Sequence, residues 1–180
     1  MTRQAGAEAA VRVLGVDPGS VVTGWAVVDC NGRSLERVAS GTIRAGRGEL
    51  CERLGKIYAE LARVIERYRP AVLSLERNFL ARNVQSAFRL GEARGVAMAA
   101  AAGAAMDTHE YAPATIKKAL VGHGRADKAQ MQAAVVRLFG LSVTPAEDEA
   151  DALAAAACHG FRRRYDDRVR AAASHAVRRR

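Results

Sequence analysis

Two short apolar runs near the start of the chain, separated by a turn signal, constrain the fold more than any other feature. Residues 11–29 read VRVLGVDPGSVVTGWAVVD. Short runs of Val and Leu bounded by Pro and Gly predict two buried strands joined by a turn. The first run ends at Asp17, and an ionised carboxylate at the end of a buried strand is costly unless it has a partner. Two interpretations of Asp17 stay open on these residues: a turn-initiating acid before Pro-Gly, or a metal ligand at the edge of a sheet.

The patterns that follow predict a mixed sheet. Asn31-Gly32 is typical of a tight hairpin, so residues 34–43 are expected to form a third, antiparallel strand. Residues 49–68 carry an apolar stripe at helical spacing, and Pro70 ends that helix ahead of a short buried strand at 71–75. A strand, a helix and a second strand in this order require a right-handed crossover. A helix at 84–105 and a strand at 108–111 continue the alternation.

Three more helices are predicted in the last third of the chain, at residues 114–121, 127–139 and 147–163. Pro113 suits the first turn of one helix and Asp127 can cap the next. We therefore predict an α/β fold, a mixed sheet of about five strands (three antiparallel, then parallel) flanked by helices. Residues 1–10 are expected to be a disordered tail, 11–163 a single domain and 164–180 a basic C-terminal tail.

Charge favours a polyanionic partner. The chain of 180 residues has 28 Lys and Arg against 19 Asp and Glu, which gives a net charge of +9 and a pI near 10.2. Such an excess is typical of proteins that bind nucleic acid. Plain solubility is the alternative explanation.

Cysteine spacing and hydropathy exclude several classes of protein. Cys30, Cys51 and Cys158 are far apart and form no CxxC pair, which argues against a disulfide framework and a zinc knuckle. The Ala-rich stretch at 97–105 is too short to cross a bilayer. We expect a reduced, cytoplasmic chain without a membrane partner.

Acidic residues mark the place where chemistry is expected. Asp17 and Glu76 each end a predicted strand, and Asp148 and Asp151 share one face of the last helix. The first turn of a helix favours acids in any case, which accounts for Glu147 and Glu149 but poorly for Asp151, whose face is apolar. Carboxylates and water are the ligands that Mg²⁺ prefers, and two such ions about 3.5–4 Å apart assist phosphodiester hydrolysis. A basic chain with four clustered acids is therefore typical of a nuclease.

Taken together, several short motifs resemble one known family, the RuvC Holliday-junction resolvases. The resemblance covers residues 11–159 in order. It is carried by GVDPGS at 15–20 with Thr23-Gly24, by Leu75-Glu76 with Phe79, by SA at 86–87, LG at 90–91 and ARGV at 93–96, by Lys117, Val121-Gly122 and Lys128, and by Asp148 with DALA at 151–154. Arg77-Asn78 departs from the less basic residues expected there, which puts the grip on DNA or the sequence preference in doubt.

The resemblance implies a ribonuclease H-like fold and a homodimer that nicks two strands of a four-way DNA junction symmetrically, beside a branch-migration motor. By position, Asp17, Glu76, Asp148 and Asp151 would be the catalytic acids that bind Mg²⁺ or Mn²⁺, with two ions per site. Lys117 and Lys128 would face the scissile phosphates, and Phe79 would stack on a base. Without the resemblance, both lysines could equally be solvated surface charges, and Phe79 a core residue.

Charge and placement add further DNA-binding candidates, namely Arg77, Arg82, Arg89, Arg94, Lys118 and Arg125. Gly91 and Gly95 lie four residues apart on one helical face, and two glycines in a helix cost about 1 kcal/mol each relative to Ala. Something should therefore pack closely there. A second subunit is our expectation, and the sheet is the alternative.

Three other functions stay open. An ATPase of the actin and sugar-kinase type also uses a strand, an Asp-x-Gly turn and a hairpin, but it needs two such domains. A related ribonuclease H-like nuclease would act on RNA or on other DNA structures. A non-catalytic junction binder would gain nothing from carboxylates beside phosphates.

Overall fold

The computed structural model describes residues 10–32, 34–77 and 84–177. Five strands form one mixed sheet in the order β3-β2-β1-β4-β5. The strands are β1 (Val11–Asp17), β2 (Val22–Asn31), β3 (Ser34–Arg44), β4 (Val72–Glu76) and β5 (Asp107–Tyr111). The first three pair antiparallel, whereas β4 runs parallel to both β1 and β5. The predicted fold class is confirmed, including the change from antiparallel to parallel pairing.

Five helices within the described ranges cover the sheet. They are α1 (Leu50–Tyr68), α2 (Val84–Gly103), α3 (Pro113–Val121), α4 (Lys128–Phe139) and α5 (Glu147–Val177). Arg69, in the left-handed conformation, ends α1 just before Pro70, and Asp127 forms a capping box with Gln130 at the start of α4. No helix in the described ranges is long and apolar enough to cross a membrane.

The last helix is longer than predicted. It continues to Val177, so the expected end near Arg163 was wrong. Residues 161–177 contain neither Gly nor Pro and are rich in Ala and Arg, which are strong helix formers. Arg163 and Asp167 also pair one turn apart at 3.7 Å. The division of the chain into a central domain and two tails stays a prediction.

Strand alternation divides the core into two layers. Leu14 and Val16 of β1 and Leu73 and Leu75 of β4 face α1 and α2, where large aliphatic side chains such as Leu61 meet them. The alternate residues of the same strands, Val13 and Val72 among them, face α5 and its buried, mostly Ala run at 152–158. One face of the sheet thus packs against large aliphatic side chains, and the other packs mainly against the small Ala side chains of α5.

The backbone of α5 lies directly on two glycines of the sheet. A Cβ added to Gly15 would lie 2.1 Å from the Ala152 carbonyl oxygen, and one added to Gly24 would lie 1.8 Å from the Asp148 carbonyl oxygen. Ser74, which pairs with Gly15 across β1 and β4, donates a buried 2.6 Å hydrogen bond to the Ala155 carbonyl oxygen. These contacts fix the height and the rotation of α5 over the strands.

Candidate active site

The parallel pairing of β1 and β4 brings Asp17 and Glu76 to one edge of the sheet. Both acids are the last residues of their strands. Side chains alternate between faces along a strand. Gly15 and Ser74 contact α5, so Asp17 and Glu76, two residues further on, face α5 as well. Asp17 also pairs with Gly24, the residue against which Asp148 packs.

Helix α5 brings two more acids to the same edge. Asp148 and Asp151 lie in its first two turns and are both half-buried. Asp151 shares with Glu76 a cleft of about 270 Å³, whose lining also includes Lys117 and Lys128. The four acids and two lysines singled out in the sequence therefore lie along the same edge of the sheet, with Glu76, Asp151 and both lysines in the cleft and Asp17 and Asp148 beside it.

The acids raise one another's pKa. Burial, together with the charges of Asp151, Asp148, Glu76 and Glu147, raises the pKa of Asp17 to about 8. Burial and the charge of Asp151 raise the pKa of Glu76. Burial and the charge of Glu147 raise that of Asp151. Glu147 thus lies closer to the cluster than the sequence suggested. Half-buried acids that repel one another in this way need a cation to be ionised together.

The donor set fits a hard divalent cation. All four candidate ligands are carboxylates, and none of the described residues that line the cleft is His or Cys, which favours Mg²⁺ or Mn²⁺ over zinc. Within the ranges that the structure describes, no three Asp, Glu, His or Cys side chains already converge in a metal-ligand arrangement. The fit therefore depends on donor type and on the uncompensated negative charge.

The basic candidates differ in their surroundings. Lys117 lies in the cleft, where its charge offsets a small part of the rise in the pKa of Glu76 and of Asp151. Lys128 lines the same cleft and forms an ion pair with Glu147. Lys118 and Arg125 are exposed and do not line it.

Two arginines are engaged within the fold. Both Arg77 and Arg94 form ion pairs with Glu110. Arg94 also donates a 3.0 Å hydrogen bond to the Glu76 carbonyl oxygen, so it holds the end of β4 in place. Arg89 is exposed on α2, whereas Phe79 and Arg82 lie outside the described residues.

The glycine face of α2 is open. A Cβ on Gly91 or Gly95 would meet nothing within 4 Å among the described residues, whereas Ala93, Ala97 and Ala101 form the buried side of the helix. The alternative that this face packs on the sheet is therefore wrong. The expectation of a second subunit stays a prediction.

Sequence reasoning missed several residues that support the site. Gly15 and Gly24 had only been noted as parts of motifs, although a glycine inside a strand is itself a signal of close approach. Ser74 interrupts an apolar strand and could have been found in the same way. Tyr111, the register partner of Glu76, hydrogen-bonds through its hydroxyl to Nδ1 of buried His159 on α5 at 2.8 Å. Burial lowers the pKa of His159 to about 4, so this ring is neutral at pH 7.

The sheet order, with acids gathered over the ends of β1 and β4, defines the class: a nuclease with the ribonuclease H-like fold. The family described as "Crossover junction endodeoxyribonuclease RuvC" matches residues 13–159. The chain belongs to this RuvC family and is a metal-dependent endonuclease of DNA recombination and repair.

Individual relatives agree with this assignment. The RuvC of Halorhodospira halophila is 50% identical over 153 residues, covering 84% of this chain and 91% of the relative. Thermus thermophilus RuvC, solved in complex with a Holliday junction substrate, has a TM-score of 0.82 and 32% identity, covering 87% of this chain and 96% of that one. The yeast mitochondrial resolvase Ydc2, at 14% identity and a TM-score of 0.63, shares the fold.

Proposed function

We propose that the chain resolves four-way DNA junctions and that Asp17, Glu76, Asp148 and Asp151 are its catalytic acids. One observation carries this assignment. The four acids lie along a single edge of the sheet, and burial together with the charges of Asp151, Asp148, Glu76 and Glu147 raises the pKa of Asp17 to about 8. A phosphodiester is itself an anion, so such a cluster can accept one only with cations present.

We further propose Mg²⁺ as the cofactor, replaceable by Mn²⁺, with two ions in each active site. Four carboxylates provide enough oxygen ligands and negative charge for two divalent ions. When bound, these ions would lower the pKa of the attacking water and stabilise the leaving oxygen. Lys117 in the cleft would then hold the scissile phosphate, and Lys128 would exchange Glu147 for the same phosphate.

The DNA substrate is supported by charge and by a relative. The chain carries a net charge of +9, and the related T. thermophilus protein was solved with a Holliday junction substrate. Arg89, Lys118 and Arg125 are exposed and available to backbone phosphates. The stacking of Phe79 on a base stays a prediction. We also propose that the chain acts in the cytoplasm beside a branch-migration motor.

Helix α2 is the proposed homodimer contact. Val84, Phe88, Gly91 and Gly95 follow one another at spacings of four, three and four residues, which places them on one helical face. Val84 is 72% exposed and Phe88 69% exposed, so the stripe is available to its symmetry mate across a two-fold axis. Two active sites at a fixed distance would cut opposite strands. Sedimentation at micromolar concentration should give a dimer, and a strictly monomeric protein would contradict this assignment.

Cleavage of a synthetic mobile four-way junction tests the function as a whole. The junction and a linear duplex of matched sequence are incubated with Mg²⁺, Mn²⁺ or EDTA, and the nicks are mapped on each strand. We expect symmetric nicks in the junction alone, lost in EDTA. Cleavage that persists in EDTA would exclude the metal assignment, and tight binding without cleavage in either metal would point to a non-catalytic binder.

A further inference from the structure

A second cleft at the same edge of the sheet is lined by arginines. It has a volume of about 380 Å³ and lies between the β1–β2 turn, the start of α1 and the side of α2. Arg47, Arg53 and Arg89 line it, together with Val21, Glu49 and Leu50. We call the three arginines and the start of α1 the arginine notch.

Among the described residues that line the arginine notch, three arginines outnumber one acid, Glu49. None of its arginines forms an ion pair there, whereas Arg12, Arg63, Arg77 and Arg94 all do. Arg53 donates from Nη1 to the Ser20 carbonyl oxygen at 3.1 Å, but its Nε is buried without a hydrogen-bond partner in the described part of the chain. Three like charges around one cleft favour a bound anion.

The start of α1 adds backbone donors to the arginine notch. The helix begins at Leu50, and Glu49 at its N-cap makes no side-chain hydrogen bond to the first turn. The first N–H groups of a helix have no partner within it, and the helix dipole makes this end positive. Backbone amides and guanidinium groups together match the oxygens of a phosphate.

The arginine notch and the acids lie on either side of one turn. Val22 pairs with Arg44 at the end of β3, and the hydrogen bond from Arg53 to the Ser20 carbonyl oxygen ties the first turn of α1 to the turn that follows β1. From Asp17 to Val21 the chain can span at most about 14 Å. The acids face α5, whereas the notch lies on the side of α1 and α2. A DNA strand crossing the turn would meet both.

We propose that the arginine notch binds a backbone phosphate of the cleaved strand, a few nucleotides from the scissile one. The inference rests on the proposed function, because it takes junction DNA as the ligand. Its role is to hold the strand across the β1–β2 turn, and it needs no chemistry of its own.

Binding of a junction in EDTA tests the arginine notch without cleavage. The Arg47→Gln/Arg89→Gln variant should bind about tenfold more weakly, and the slope of log affinity against log salt should fall by about one. Arg67→Gln/Arg69→Gln, which also removes two charges but from the exposed far end of α1, is the matched control and should bind as wild type does. Unchanged affinity and salt slope in the double variant would overturn the proposal and favour another acidic partner for this surface.

Replacing the backbone phosphates one at a time identifies the phosphate that the arginine notch binds. Junctions with one uncharged methylphosphonate linkage, moved stepwise along the strand near the cut, are bound to wild type and to the double variant. A methylphosphonate at one position should weaken binding by wild type severalfold and leave binding by the double variant unaffected. If the methylphosphonate weakened both proteins equally at every position, the arginine notch would not contact any of these phosphates directly. Glu49→Gln, which removes the acid beside the notch, should strengthen wild-type binding. If wild type fails to nick junctions in Mg²⁺, the proposed function fails, while these binding results still decide the notch.

Discussion

The two faces of the sheet are built on different principles. On the side of α1 and α2, Leu14, Leu73 and Leu75 interlock with large aliphatic side chains. On the side of α5, Gly15 and Gly24 let the helix backbone touch the strands. The acids are on the second face. Asp has a short side chain, so acids from a helix and a strand can share ions only where the two backbones come close.

Substitution of Asp17 should have the largest effect on cleavage, because it removes a carboxylate from the α5 side of the sheet, which carries the acids. We expect Asp17→Asn to lower the rate of junction cleavage at least about 1,000-fold, because stabilisation of transition-state charge by bound cations contributes several kcal/mol. Junction binding should persist. Cleavage under single-turnover conditions and binding in EDTA measure the two effects.

The matched control for Asp17 is Glu149, an acid in the first turn of α5. Its carboxylate accepts a 2.6 Å hydrogen bond from Ser40, and Glu149→Gln should therefore cut nearly as wild type does. If Asp17→Asn lost binding as strongly as cleavage, Asp17 would have a structural role instead.

Filling the close contact at Gly24 should have the second largest effect. A Cβ there would lie 1.8 Å from the Asp148 carbonyl oxygen, so Gly24→Ala must push α5 away from β2. A displacement of about 1 Å costs roughly 100-fold in rate, and overpacking costs about 1–3 kcal/mol in the free energy of unfolding. Cleavage by the folded fraction, with stability measured by urea unfolding, checks both.

Gly55 on α1 provides the comparison from the other face. A Cβ at this exposed helical position meets nothing within 4 Å of the described residues. Gly55→Ala should stabilise the protein by about 1 kcal/mol and leave cleavage unchanged. Equal losses of activity in the Gly24 and Gly55 variants would rule out close approach as the reason.

The acids on the α5 side of the sheet should also make the free energy of unfolding depend on pH when cations are absent. The pKa of Asp17 is about 8 in the folded chain and about 3.9 when unfolded. Between these values the folded state keeps a proton that the unfolded state loses, so the free energy of unfolding falls as pH rises and levels off above pH 8. We expect a loss of about 2–5 kcal/mol across this window in EDTA.

Chemical unfolding at a series of pH values measures this loss. Asp17→Asn should flatten the profile, and Mg²⁺ should stabilise wild type more at pH 8 than at pH 5, because the cation favours ionised acids. A profile that rises with pH in EDTA would contradict the arrangement of acids described above.

Local patterns in the sequence were enough to predict most of the fold. A Pro-Gly turn follows the predicted strand at residues 11–17, and β1 has the same bounds in the structure. The end of α5 was missed because the residues after Arg163 were interpreted as a basic tail, although their helix propensity is high.

The candidate site was predictable only in part. Acids at the ends of two parallel strands must share an edge, so proximity of Asp17 and Glu76 follows from the strand order alone. The partners of Arg77 and Arg94 did not follow, because Glu110 meets Arg77 through the pairing of β4 with β5 and meets Arg94 through the packing of α2 beside β5. Contacts between elements far apart in sequence carry no local pattern, and this limits what residue types and spacing can predict.

Two neighbouring residues of β4, Ser74 and Leu73, allow the two faces of the sheet to be compared directly. Ser74 faces α5 and donates a buried hydrogen bond to the Ala155 carbonyl oxygen, whereas Leu73, fully buried, faces α1 and α2. Ser74→Ala should cost only about 1 kcal/mol in stability but lower cleavage severalfold, because one contact that sets the rotation of α5 is lost.

Leu73→Ala should do the reverse, costing about 2–5 kcal/mol through the cavity it leaves while the folded fraction cuts normally. Urea unfolding and single-turnover cleavage of both variants test this inversion. If the loss of cleavage followed the loss of stability in both variants, cleavage would be no more sensitive to packing on the α5 side of the sheet than on the side of α1 and α2. If the inversion holds, α5 is positioned by its backbone contacts to the sheet, and the aliphatic face serves mainly to keep that sheet folded.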